Sequence, residues 1–131
     1  MSLRVLIVDD EQIIAADLEG KLEKMGHQVV GTAISGEEAI ALADQMWPQL
    51  VMMDIQLRGE IDGTEAARTI HARTGAEIIF ITAFPGVFLK HPSGMPKPGI
   101  CLIKPFSKQQ LEAALSAVNA ASPTGRKQTI H

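Results

Sequence analysis

The chain contains 131 residues with a formal net charge of −3 at pH 7, and 46% of its residues are hydrophobic. This length suits one domain built around one core, and the mildly negative charge argues against direct binding to nucleic acid or to a membrane surface. The apolar runs are also too short to span a bilayer. We therefore expect the chain to bind neither nucleic acid nor a membrane.

The cysteine content and the start of the chain indicate a cytoplasmic protein. Cys101 is the single cysteine, which excludes an internal disulfide and fits a reducing compartment. Met1 to Arg4 lead directly into a strand-like run, without the apolar core of a signal peptide.

The first strand and helix are predicted around an acidic loop. Residues 3–8 are apolar and partly β-branched, and this strand pattern stops at Asp9-Asp10-Glu11. Apolar residues then recur at helical spacing from Ile13 to Met25, and Gly26 supplies a stop. We interpret Glu11 as an exposed acid that suits the positive end of the helix dipole.

A second strand is predicted over residues 29–33, followed by a helix that begins at a capping box. Ser35 is a suitable N-cap, and Glu38 three residues later can complete the box. Trp47-Pro48 ends this helix because proline cannot continue it.

The central part of the chain holds the most informative strand. Leu50 to Met53 is a continuous apolar run, typical of a fully buried strand in a parallel sheet. Asp54 follows at its carboxyl end, where open α/β sheets keep their ligand crevice. A loop with glycines and charges leads to a helix predicted over residues 64–73.

Two more strands are predicted, over residues 77–81 and 100–103, which end at Thr82 and Lys104 respectively. Ser107 caps a last helix that extends to Val118. Strands and helices thus alternate along the chain, which predicts an α/β fold with a parallel sheet and helices on both faces.

The segment between the last two strands breaks this alternation. Proline and glycine occur there at Pro85, Gly86, Pro92, Gly94, Pro96, Pro98 and Gly99. Because proline in a helix interior costs about 3 kcal/mol, we predict an irregular or shortened fourth helix.

The strand ends together predict a phosphoryl-transfer site. Asp9, Asp10 and Asp54 would meet at one edge of the sheet and repel each other, so they need a cation, and carboxylates suit Mg²⁺. Lys104 adds a positive charge and Thr82 a hydroxyl donor. A metal, an ammonium and a hydroxyl around Asp54 make this residue a candidate carboxylate nucleophile.

The motifs Val8-Asp9-Asp10-Glu11, Met53-Asp54-Ile55, Ile81-Thr82-Ala83 and Lys104-Pro105-Phe106 resemble the signature positions of the response-regulator receiver domain of two-component signalling. The likeness extends over nearly the whole chain. It implies a flavodoxin-like, doubly wound, five-stranded parallel sheet with strand order 2-1-3-4-5. We expect a receiver domain over residues 1–121 and a flexible tail over 122–131.

The resemblance also implies a role for each site residue. Asp54 would be the phosphoacceptor, and Thr82 and Lys104 would contact the phosphoryl group. Mg²⁺ would be held by Asp10 directly, by Asp9 through water, by Asp54, and by the backbone carbonyl of Gln56. The bond between Lys104 and Pro105 is expected to be cis.

One position departs from the family pattern. Receiver domains usually carry a switching aromatic residue three positions before the lysine, and here that residue is Cys101. A receiver subgroup without this aromatic has a segment similar to residues 80–86, so Phe84 is a candidate substitute.

The favoured interpretation is a phosphorylation-controlled binding module, and not an enzyme that turns over a metabolite. Its partners would be a sensor histidine kinase or histidine phosphotransferase and a downstream effector protein. Three alternatives are less favoured: a phosphatase of the haloacid-dehalogenase type, which needs an acid where Gln56 stands; a receiver-like module that is never phosphorylated; and a flavin-binding domain, whose phosphate the acidic loop would repel.

Overall fold

The computed structural model describes residues 2–57, 59–83 and 100–121. The strands are β1 (Arg4–Val8), β2 (Gln28–Ala33), β3 (Leu50–Asp54), β4 (Glu77–Thr82) and β5 (Ile100–Ile103). The helices are α1 (Gln12–Lys24), α2 (Gly36–Met46), α3 (Gly63–Thr74) and α4 (Lys108–Ala121). Each corresponds to an element predicted from the sequence, with its ends shifted by a few residues at most.

These strands form a parallel sheet in the order β2-β1-β3-β4-β5. The predicted fold class and strand order are therefore confirmed. The chain order reverses between β1 and β3, and an open α/β sheet carries its ligand crevice beyond the carboxyl ends of the strands at such a point. The topology alone places the crevice between the loops that follow β1 and β3.

The sheet separates two apolar cores. Every residue of β3 and β4 is buried, as the continuous apolar run predicted, and neighbouring residues of β3 point to opposite cores. One core contains side chains of α1 and α4, among them Leu18, Leu22, Leu111 and Leu115. The other contains side chains of α2 and α3, among them Ala39, Ala43, Ala66 and Ile70. Because β3 is fixed from both sides, the residue at its end has a rigid support.

The ends of α2 show why the sequence starts and stops this helix where it does. The Ser35 hydroxyl accepts a hydrogen bond from the backbone amide of Glu38 at 3.1 Å, and the Glu38 carboxylate accepts one from the amide of Ile34 at 2.8 Å. At the other end Trp47 adopts a left-handed conformation with φ of 47°. The Arg4 guanidinium donates to the carbonyl of Trp47 at 2.7 Å. The predicted helix start and stop are both confirmed.

Three predictions lie outside the described residues: the irregular segment over 85–99, the role of Phe84 and the tail over 122–131. None of the helices in the described part of the chain has the length and apolar character needed to cross a membrane.

Candidate functional site

The predicted site residues lie together at the carboxyl edge of the sheet. Asp9 and Asp10 follow β1, Asp54 is the last residue of β3, and Lys104 follows β5. Val8 is paired with Met53 in the sheet, which brings Asp9 next to Asp54. Thr82 is the last residue of β4, is fully buried, and is paired with Ile103. Parallel pairing thus converts positions far apart in sequence into one site.

Three carboxylates form the acidic part of the site. One oxygen from each of Asp9, Asp10 and Asp54 lies within 4.8 Å of the others. Asp9 and Asp54 are only 1% and 5% exposed, so water screens their charges poorly. A buried cluster of like charges is costly unless a cation or a proton neutralises it.

The loop backbone fixes one oxygen of each buried carboxylate. The amide of Glu11 donates to Asp9 Oδ1 at 2.9 Å, and the amide of Gln56 donates to Asp54 Oδ1 at 3.0 Å. Each carboxylate is held by the amide two residues further on, as in an Asx turn. Its other oxygen is thereby directed into the cluster, where Asp9 Oδ2 is buried without a hydrogen bond.

Lys104 supplies the positive charge opposite this cluster. Its Nζ lies 2.8 Å from Asp9 Oδ2, in an ion pair without hydrogen-bond alignment, and 3.3 Å from Asp54 Oδ2. The backbone amide of Lys104 donates to the carbonyl of Thr82 at 2.8 Å. The bond between Lys104 and Pro105 is cis, as expected.

Burial and charge shift the pKa values of the two central groups. Burial raises the pKa of Asp54 to about 6; the charge of Lys104 opposes this rise and that of Asp9 adds to it. Burial alone would lower the pKa of Lys104, but contact with Asp9 and the charge of Asp54 outweigh it and raise the pKa. Lys104 is therefore a firmly protonated cation beside a carboxyl group that ionises reluctantly.

The site has the donor set that a hard divalent ion prefers. Carboxylate oxygens suit Mg²⁺, and the buried Asp9 Oδ2 has a lone pair that a metal could satisfy. Gln56 is exposed and follows the site directly, and its carbonyl as a further ligand stays a prediction. The residues present fit the expected ion.

Sequence reasoning missed a side-chain role for Glu11. The residue is exposed, as predicted, but its Oε1 lies 3.3 Å from Lys104 Nζ and accepts a hydrogen bond from it. Glu11 is the N-cap residue of α1, yet its side chain makes no capping hydrogen bond. Glutamate is not among the preferred N-cap residues, and this mismatch was the available signal.

Gly63 is a second residue whose importance was missed. A Cβ atom added there would lie 2.0 Å from the carbonyl oxygen of Asp54 and 2.8 Å from Ile55 Cα. The Gly63 amide also donates to the Ile55 carbonyl at 3.0 Å. The first turn of α3 therefore presses directly on the backbone that carries Asp54.

Cys101 occupies the place of the expected aromatic residue on β5. It is half-buried, packs against the core on the α2 and α3 side, and is paired with Phe80 of β4. Burial raises the pKa of its thiol. These features fit a small core residue.

Fold and site define a flavodoxin-like α/β domain with an acidic cluster at the carboxyl edge of its sheet. The family model described as the response regulator receiver domain matches residues 5–116. The chain is 33% identical over 132 residues to the Phyllosphere-induced regulator PhyR of Methylorubrum extorquens. The aligned region covers 100% of this chain and 49% of that protein. It is 38% identical over 112 residues to the transcriptional regulatory protein PdtaR of Mycobacterium tuberculosis. That alignment covers 86% of this chain and 54% of that protein.

A solved structure agrees with these relatives. The solution NMR structure of the REC domain of Erythrobacter litoralis PhyR matches with a TM-score of 0.83 at 31% identity, covering 92% of each chain. The chain belongs to the response regulator receiver domain family, whose members act in two-component phosphorelay signalling. It spans about half the length of the two regulators.

Proposed function

We propose that this chain accepts a phosphoryl group on Asp54 in a Mg²⁺-dependent reaction and thereby switches its interactions with another protein. The observation that carries the proposal is the cluster of Asp9, Asp10 and Asp54, whose oxygens lie within 4.8 Å of one another. Lys104 Nζ reaches two of these carboxylates. Clustered carboxylates are costly unless a positive charge neutralises them, and Lys104 together with a bound Mg²⁺ would supply that charge.

The donor of the phosphoryl group is a phosphohistidine on a sensor histidine kinase or a histidine phosphotransferase. One oxygen of the Asp54 carboxylate attacks phosphorus; the new P–O bond forms as the P–N bond to the imidazole breaks, and the imidazole leaves. The backbone amide of Gln56 holds Asp54 Oδ1 at 3.0 Å, which leaves Oδ2 as the oxygen on the Lys104 side. Asp54 is thus oriented before the donor arrives.

The remaining residues neutralise and position the transferred group. Asp10 would hold Mg²⁺ directly and Asp9 through water, and Asp54 and the Gln56 carbonyl would complete the protein ligands. The ion supplies positive charge against the phosphoryl oxygens. Lys104 pairs with one of those oxygens, and the hydroxyl of Thr82 donates to another.

The product is a changed protein surface and not a released metabolite. The chain catalyses only its own phosphorylation and dephosphorylation, and it acts in the cytoplasm on an effector protein without direct nucleic-acid or membrane contact. The names of PhyR and PdtaR describe both as regulators, which supports a regulatory output.

Intact mass after incubation with Mg²⁺ and acetyl phosphate tests the proposal. We expect one added phosphoryl group on the wild type and none on Asp54→Ala. Asp17→Ala is the matched control, because Asp17 is an exposed acid on α1 whose carboxylate pairs with Lys21, and it should be modified like the wild type. Modification of Asp54→Ala would refute the assignment of the acceptor.

If the wild type gains no mass, beryllofluoride separates fast hydrolysis from the absence of phosphorylation. A complex that forms with the wild type but not with Asp54→Ala would support a short-lived phosphoryl group. If the wild type gains no mass and forms no complex, the remaining interpretation is a receiver-like module that is not phosphorylated.

A further inference from the structure

Glu11 combines an unusual position with an unusual contact. It is the N-cap residue of α1, where serine, threonine, aspartate and asparagine are preferred because a short side chain can reach the free amides of the first turn. The Glu11 side chain does not cap the helix. It reaches across the mouth of the site to the ammonium of Lys104 at 3.3 Å.

Three carboxylates surround the Lys104 ammonium, as many as it has N–H donors. Its Nζ lies 2.8 Å from Asp9, 3.3 Å from Asp54 and 3.3 Å from Glu11. The side chains of Asp9 and Asp54 are almost fully buried, whereas that of Glu11 is 61% exposed. Glu11 is thus the outermost of the three partners.

We propose that Glu11 is a positioning residue that holds Lys104 at the mouth of the site and competes with the phosphoryl group for its ammonium. This inference rests on the proposed phosphorylation of Asp54. If Asp9 were engaged by a bound metal ion, Glu11 would remain as a competing acceptor for Lys104. An ammonium shared with Glu11 binds a phosphoryl oxygen less strongly, and this sharing weakens the phosphorylated state.

The size of the competition follows from the exposure of Glu11. Water screens an ion pair with one exposed partner, so its removal should change the affinity for a phosphoryl mimic only modestly, by roughly two- to five-fold. The direction is toward tighter binding, because Lys104 is released for the phosphoryl group.

Two substitutions separate positioning from simple charge. Glu11→Gln removes the charge of the carboxylate. Glu11→Asp keeps the charge but is shorter by one methylene, about 1.5 Å, and aspartate at an N-cap turns toward the helix amides. Both variants weaken the contact between residue 11 and Lys104, but only Glu11→Gln loses the negative charge. Glu23→Gln, an exposed acid near the other end of α1, is the matched control.

The measurement is the beryllium concentration that half-saturates the full chain at fixed Mg²⁺ and fluoride, followed by amide NMR shifts. Glu11→Gln and Glu11→Asp should both bind roughly two- to five-fold more tightly than the wild type, and Glu23→Gln should match the wild type. Urea unfolding should find Glu11→Asp at least as stable as the wild type, which separates the effect from any loss of structure.

Several results would overturn the inference. Equal affinity in all four proteins would show that Glu11 does not compete. If Glu11→Gln binds more tightly but Glu11→Asp binds like the wild type, then only the negative charge of Glu11 matters and its contact with Lys104 does not. Weaker binding by both variants would show that Glu11 assists the bound state. A wild type that forms no complex would overturn the inference, and it would refute the proposed function only if acetyl phosphate also added no mass.

Discussion

Asp54 is destabilising in the ionised form that its proposed chemistry requires. The side chain is buried beside two other carboxylates, and the hydrogen bond from the Gln56 amide and the charge of Lys104 compensate only in part. Burial raises the pKa of this carboxyl from 3.8 to about 6. At neutral pH the ionised Asp54 therefore carries a negative charge that is costly to bury and that a bound cation would offset.

Replacing this carboxyl group should stabilise the fold at neutral pH. The native state binds the proton of Asp54 more tightly than the unfolded state, so the free energy of unfolding falls as pH rises from 3.8 to about 6. Because Asp54→Asn has no carboxyl group to ionise at this position, its free energy of unfolding does not fall in this way. The variant should be more stable than the wild type at pH 7.5 without Mg²⁺, by on the order of 1 to 3 kcal/mol. Urea unfolding at several pH values measures the difference.

The advantage of Asp54→Asn should shrink as the pH is lowered below about 6, because the wild-type carboxyl then becomes neutral as well. Asp17→Asn, which changes an exposed acid, should show little effect at either pH. An Asp54→Asn protein less stable than the wild type at pH 7.5 would contradict the argument from burial.

At the scale of single elements, the start of α3 positions the site through its backbone. Asp62 caps this helix by accepting from the Glu65 amide at 2.9 Å. Gly63 then allows the helix to approach the carbonyl of Asp54 without a side chain between them. The helix end thus limits where the loop after β3 can lie.

Gly63→Ala should therefore destabilise the chain strongly. The added methyl group would lie 2.0 Å from the Asp54 carbonyl oxygen, which is backbone and cannot turn away. We expect a loss of about 3 kcal/mol in urea unfolding, at the upper end of the range for overpacking. Binding of Mg²⁺ should also weaken, because the loop that carries Asp54 must shift.

Gly20→Ala is the control for this prediction. Gly20 lies within α1, and an added Cβ would meet nothing within 4 Å. Alanine is a better helix former there by about 1 kcal/mol, so this variant should be more stable than the wild type. Equal effects of the two substitutions would refute the role of close approach at Gly63.

Local signals made most of the elements predictable. Apolar runs predicted β3 and β4, and the capping box at Ser35 predicted the start of α2, because such signals act over a few residues. Parallel pairing then placed Asp9, Asp54 and Lys104 at one edge. The contact between Lys104 and Glu11 joins residues 93 positions apart. The unusual N-cap residue signals another role for Glu11, but its partner depends on which way a flexible side chain turns, which no local pattern encodes.

At the scale of the whole molecule, the site joins loops from opposite ends of the chain. Asp9 and Asp10 come from its start, Asp54 from its middle and Lys104 from near its end. A ligand that binds all of them binds only the folded state. Binding must therefore stabilise the whole domain and not only the loops it touches.

Mg²⁺ should raise the free energy of unfolding at neutral pH. At a concentration ten times its Kd the expected gain is about 1.4 kcal/mol. The gain should shrink below a pH of about 6, where protonation of Asp54 competes with the metal. Thermal unfolding with and without Mg²⁺ measures it.

Asp10→Asn should lose most of this gain, whereas Asp44→Asn, whose carboxylate pairs with Arg73 on the surface, should retain it. Stabilisation by Mg²⁺ of the same size in Asp10→Asn would place the ion elsewhere.

The position of Trp47 has a practical consequence for optical work on this protein. The chain contains one tryptophan and no tyrosine, so its near-ultraviolet emission comes essentially from one side chain. Trp47 is 56% exposed and follows α2, beside Arg4 at the start of β1. It therefore lies at the edge of the sheet opposite Asp54. Its fluorescence is suited to following the collapse of the fold, whereas events at the carboxyl edge call for a second fluorophore.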